Sequence, residues 1–199
     1  MGLDYSILTY IKKEKLKDSF NWLLSNTDDD EKEISLNQDS LLIKGHNFSS
    51  NVEDNRVNYS TSIIFDIDLP IIETLYEKYS TRKVEIFKEN FVSTYLGNGK
   101  IRIGNFDVSI TYLTEKEIYK IEFTAVTTAM SCMLDESESV KNWINEFSQI
   151  SDSILSCINE ENNAYIILFE GGNKTYEKLT DDKYIDDIVI KLIDKKNYS

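Results

Sequence analysis

One proline, seven glycines and one histidine stand among 199 residues. So few chain-breaking residues argue against long irregular linkers, and a 12% aromatic content argues against disorder. Two cysteines, Cys132 and Cys157, are too few for a disulfide framework, and no Cys-x-x-Cys pair offers metal thiolates. Both stand in apolar contexts, "AMSCML" and "ILSCIN", which predicts buried free thiols. No run approaches the ~18 apolar residues that a membrane-spanning helix requires. The first residues lack a basic segment followed by a long apolar one, so no secretory signal is expected and cytoplasmic residence is the default.

Charge of one sign dominates what is present. The formal net charge is −13, from 22 basic and 35 acidic side chains. Residues 1–100 hold 12 basic and 17 acidic groups, and residues 101–199 hold 10 and 18, so no acidic tail carries the excess. Such a field repels nucleic-acid phosphates and anionic lipid surfaces and favours basic partners or cations. No nucleic-acid or membrane partner is therefore expected.

The opening "MGLDYS" has two incompatible readings. Gly2 and Ser6 match the N-myristoylation pattern M-G-x-x-x-[ST]. The same residues begin the alternating run "LDYSILTYI", which places Leu3, Tyr5, Ile7, Thr9 and Ile11 on one face of a strand. The unbroken alternation favours a core strand, since a lipid anchor suits a flexible polar arm.

Farther on, "KKEKLKDSFNWLLSN" carries Leu16, Phe20, Leu23 and Leu24 at helical spacing. "TDDDEKE" reads as a solvated connection, "EISL" and "SLLIKG" as a short strand pair, and "HNFSSNVEDN" as a polar surface loop. "VNYSTSIIFDID" alternates most cleanly, with Asn58, Ser60, Ser62, Asp66 and Asp68 opposite its apolar face. Pro70 opens a helix over "PIIETLYEKY". "GNGKIRIG" reads as a turn plus a bulge, and "FDVSITYL" with "IYKIEFTAV" as a hairpin. Asp135 and Glu138 have capping-box spacing before the helical stripe Val140, Trp143, Ile144 and Phe147. "SILSCI" and "AYIILF" form another hairpin, and "DKYIDDIVIKLIDKK" a last amphipathic helix.

These elements predict an α+β fold: a mainly antiparallel sheet of about seven to nine strands with about four helices on one face, a two-layer sandwich. Residues 1–199 are expected to form a single globular domain, and a break near 81–100 would divide it into two lobes.

Motifs for catalysis are mostly missing. His46, the sole histidine, sits in a polar stretch without a recognisable partner, and there is no GxSxG, GxxxxGK[ST] or HExxH. Neither catalytic residues, nor a metal site, nor a cofactor is assigned. Carboxylates suffice in number for a two-carboxylate hydrolase or a divalent-cation site, and Asp66 and Asp68 share one strand face. "FTAVTTAMSCM" is read as a strand continuing into a capped helix, so that Thr127, Thr128 and Ser131 place hydroxyls where a helix begins, a setting for an anion or polar ligand. The ligand-binding candidates are thus Asp66, Asp68, Thr127, Thr128 and Ser131.

"MGLDYS" and "FTAVTTAMSCMLDESESV", the latter a Phe-Thr-Ala…Met-Ser…Ser-Val pattern before a helix, resemble an uncharacterised family of bacterial reading frames that begin in the same way. The resemblance covers about an eighth of the chain and implies a bacterial origin, where N-myristoylation machinery is generally lacking.

Three functions compete. The first is an acidic binding protein that sequesters a basic protein, in the manner of immunity proteins and inhibitors of toxic nucleases; charge complementarity would speed association. The second is an enzyme or small-ligand protein built on carboxylates and hydroxyls. The third, a lipid-anchored regulator, rests on Gly2 alone, and a single acyl chain binds membranes only marginally.

Overall fold

The structure, a computed structural model, describes residues 5–51, 55–66, 95–97, 100–126, 128–160, 164–179 and 185–197. Its frame is an antiparallel sheet in the order β11-β10-β9-β1-β8-β7-β5-β4, with β6 pairing β7. The strands are β1 (Ser6–Lys12), β4 (His46–Asn51), β5 (Arg56–Asp66), β6 (Tyr95–Gly97), β7 (Lys100–Leu113), β8 (Ile118–Ala125), β9 (Leu155–Glu160), β10 (Ala164–Glu170) and β11 (Asn173–Leu179). A separate hairpin joins β2 (Glu31–Leu36) to β3 (Asp39–Lys44). Among the described residues the helices are α1 (Leu16–Asn26), α2 (Thr128–Glu136), α3 (Glu138–Ile150) and α4 (Ile185–Asn197). The expected antiparallel α+β sandwich is what forms.

Its layers follow from the alternation of each strand. One sheet face presents Ile7, Ile11, Val57, Ile63, Phe65, Val108, Ile121 and Phe123 to α1, α2, α3 and the β2–β3 hairpin. The stripe Val140, Trp143, Ile144 and Phe147 of α3 is buried there as its spacing predicts. Trp143 and Phe147 stack at 5.8 Å, and Trp22 of α1 lies 5.5 Å from Phe147. The hydroxyls of Ser148, Ser156 and Thr9 form a buried chain of 2.7 and 3.1 Å bonds, which ties the end of α3 to β9 and β1 without orphaning these polar groups.

α4 departs from the expected single helical layer. It covers the opposite face, where Ile185 and Val189 pack against Leu8, Tyr10, Leu155, Cys157 and Ile167. β1 is therefore buried on both faces, because it sits mid-sheet between β8 and β9 and beneath helices on each side. Leu8 and Tyr10, on the half-polar side of the expected strand, are core residues.

Three local expectations are corrected, and one strand is added. "HNFSSN" is not a loop but the edge strand β4, paired with β5 and mostly exposed, so it lacks an apolar alternation. "NKTYEKL" forms the edge strand β11, closed onto β10 by Gly171 and Gly172 at φ of 58° and 96°, the left-handed backbone that a two-residue hairpin needs. β8 stops at Ala125, and α2 takes the residues expected to extend it. The cap of α3 is Ser137, whose Oγ accepts from the Val140 N–H at 3.4 Å, while Asp135 lies inside α2. The bulge expected in "GNGKIRIG" falls in β7, where Ile103 and Phe106 pair with Ile63 and Thr61. The helix expected at "PIIETLYEKY", residues Leu3 and Asp4 of the first strand, and most of the suggested break near 81–100 lie outside the described residues.

Both cysteines are free and buried, Cys132 on α2 and Cys157 on β9. Burial pushes the Cys157 thiol far above its ordinary value, which starves it of reactive thiolate. Alkylation followed by mass spectrometry is expected to leave Cys157 unmodified in the native protein and to label both thiols in denaturant. Rapid native labelling of Cys157 would contradict the packing of α4 on β9.

Candidate functional site

Of the residues singled out from sequence, those whose backbone is described stand in separate places. Asp66 ends β5, with its backbone opposite Lys100 of β7, whereas Ala125, after which the chain turns into α2, pairs with Phe106 of the same strand. Six residues of β7 separate those rungs, roughly 20 Å at about 3.3 Å per residue. Ser131 is fully buried on α2, and its Oγ accepts the Tyr5 N–H at 3.0 Å, which ties the helix to the start of the sheet. Thr128 is the first residue of α2. Its side chain, that of Asp66, and both Asp68 and Thr127 lie outside the described residues.

The acidic run "TDDDE" is more than a solvated connection. Asp28 N–H donates to Ser62 O at 3.0 Å, and the Asp29 carboxylate accepts the Ser62 N–H at 2.8 Å. The run thus docks on β5 at the rung where its register shifts. Asp29 also faces His46 Nδ1 at 3.3 Å, and Asp28 pairs with Arg102 at 3.1 Å. His46 consequently has an acidic neighbour, but among the described residues neither side chain is bonded to a hydroxyl or thiol nucleophile. Among the described residues, no cluster of three or more histidine, cysteine or carboxylate groups could hold a metal ion. No described helix is long and apolar enough to cross a membrane.

Cross-strand pairing builds a different site on the face that α4 leaves half covered. One rung runs Arg56–Thr111–Lys120–Tyr10–Leu155 across β5, β7, β8, β1 and β9, and the next runs Asn58–Ser109–Glu122–Leu8–Cys157. Each rung is polar on β5, β7 and β8 and changes to aromatic or apolar at β1. α4 packs on the apolar half. The polar half stays open as a groove of about 370 Å³, lined by Arg56, Asn58, Ser109, Thr111, Lys120 and Glu122, with Asp186 of α4 as its wall.

Hydrogen bonds order this groove. The Tyr10 phenol donates to Asp186 Oδ1 at 2.5 Å, and the Ser6 hydroxyl donates to Glu122 Oε1 at 3.0 Å. Arg56 Nε donates to Thr111 Oγ1 at 3.1 Å, and Lys120 Nζ lies 5.9 Å from the Tyr10 ring centroid. Burial, and then the bond to Asp186, raise the Tyr10 phenol far above its ordinary value, so it remains a donor. The sequence pattern marks the polar face of β5 through Asn58 and Ser60 but carries no signal for Arg56, Lys120, Glu122 or Asp186. Their partners are 55 to 176 residues away in the chain, and only strand order reveals them.

No protein-family model matches this chain, and comparisons with curated proteins and with solved structures likewise return no match.

Proposed function

We propose that this chain is a non-catalytic acidic binding protein that takes up a basic protein partner, in the manner of immunity proteins and inhibitors. The observation that carries this reading is the placement of charge. The layer of helices and hairpin on one sheet face, residues 13–44 and 128–152, has thirteen acidic and six basic side chains, a net −7 out of the −13 total. The open groove on the other face balances Arg56 and Lys120 against Glu122 and Asp186. A surface with excess charge of one sign attracts an oppositely charged protein and raises its association rate. Within the acidic layer Glu138 and Glu146 are exposed on the outer side of α3, while Trp143 and Phe147 hold its inner side in the core.

The partner is expected to be recovered by pull-down from the native host as a stoichiometric basic protein, with affinity falling as salt rises. Reversing Glu138 and Glu146 to lysine together should slow association by about tenfold at low salt and much less at high salt, because screening acts on the same charges. Capture of an acidic partner, or affinity indifferent to salt, would sink this reading.

A further inference from the structure

We propose that the groove between the open half of the sheet and α4 is a binding site for the phosphate group of a small phosphorylated molecule. Arg56 and Lys120 flank Thr111 on one rung, each one strand away from it. With strands about 4.8 Å apart, their Cα atoms stand roughly 10 Å from one another, a span that two long side chains close over an anion above Thr111.

Among the described residues no carboxylate lies within ion-pair distance of Arg56 or Lys120. Arg56 directs Nε to the Thr111 hydroxyl, which leaves its terminal nitrogens unspent on that bond, and Lys120 lies by the Tyr10 ring. The two carboxylates of the groove are engaged elsewhere. Glu122 accepts from Ser6, and Asp186 accepts from Tyr10, both on the β1 side. Glu122 and Asp186 keep their charge on the β1 side, and the donors over β5, β7 and β8 are two cations, the Thr111 and Ser109 hydroxyls and the Asn58 amide.

A phosphate monoester suits that set better than a carboxylate does. It carries about −1.5 to −2 charges and three acceptor oxygens, enough for a guanidinium, an ammonium and a hydroxyl at once. The volume of about 370 Å³ leaves room for the attached small molecule. The negative field of the whole protein does not forbid this. Exposed charges farther than about 8 Å are largely screened at physiological ionic strength, and the densest acidity lies across the sheet.

Titration of the purified chain with inorganic phosphate and with glucose 6-phosphate, at ionic strength matched with sodium chloride and with glucose as control, tests the proposal by melting temperature and calorimetry. Both phosphates should raise the melting temperature saturably, the ester at lower concentration, and glucose should not. Arg56→Gln and Lys120→Met should each weaken binding by about tenfold or more, the loss of one charge-assisted bond, while circular dichroism stays that of the parent. Lys191→Met, on the exposed side of α4, should bind as the parent does. The site is overturned if neither phosphate binds beyond the chloride control, or if both groove variants bind like the parent. Binding of inorganic phosphate with none of the ester would overturn the assignment to a phosphorylated molecule.

Discussion

Truncating Phe147 to alanine is expected to lower the stability of this protein by about 3–5 kcal/mol. The side chain is fully buried on α3 and contacts three aromatic rings from three elements: Trp143 at 5.8 Å, Trp22 of α1 at 5.5 Å, and Phe123 of β8 at 6.0 Å. Trp143 and Phe123 are themselves buried, so the surroundings relax only partially into the space, and a cavity adds to the lost transfer energy. Domains of this size are stable by about 5–15 kcal/mol, so the change removes a large share of the total. Urea unfolding should show a lower midpoint with an unchanged slope, since the surface exposed on unfolding hardly changes. Tyr176→Ala provides the contrast. That ring is 65% exposed on the edge strand β11, and its loss should cost under about 0.5 kcal/mol. Equal effects of the two substitutions would mean that α3 does not seat its aromatic stripe between α1 and the sheet.

The stripe of α3 also shows what part of this fold local pattern reveals. Val140, Trp143, Ile144 and Phe147 recur at helical spacing, and Val57, Tyr59, Ile63 and Phe65 at a period of two, because each element buries one face. Periodicity fails where that condition fails. β1 is buried on both faces, so Leu8 and Tyr10 look misplaced until α4 is set upon them. β4 and β11 are edge strands with few buried residues, and their polar sequences resemble loops for the same reason that they resist edge-to-edge pairing. In "FTAVTTAMSCM", β-branched threonines suggest a longer strand, yet packing of Met130, Met133 and Leu134 against the core places a helix there. The site suffers most. Arg56, Thr111, Lys120 and Tyr10 form one rung from four strands, and no spacing along the chain encodes that rung.

The second large effect is expected in alkali, where stability should fall steeply above pH 10. Tyr10 and Tyr59 are buried, and burial raises both phenols far above the ordinary 10.0, with the bond to Asp186 adding to the rise at Tyr10. Tyr119 shifts in the same direction, again chiefly by burial. A phenol whose value is raised in the fold contributes its stabilisation fully below pH 10, where both states hold the proton. Above that, unfolded chains release the proton and folded ones keep it, so unfolding becomes more favourable with each pH unit. The slope is about 1.4 kcal/mol per pH unit for each such tyrosine, and Tyr10 with Tyr59 gives about twice that. Urea midpoints measured from about pH 9 to 12 should decline accordingly. Phenolate absorbance from these residues should appear together with the loss of circular dichroism, not before it. Tyr59→Phe and Tyr10→Phe should each reduce the slope by one proton, and Tyr10→Phe should also lower stability at neutral pH, because Asp186 loses its donor at the mouth of the groove. Phenolates that form while the fold and its stability stay constant would place these rings in water, and would remove with them the seat of α4 on β1.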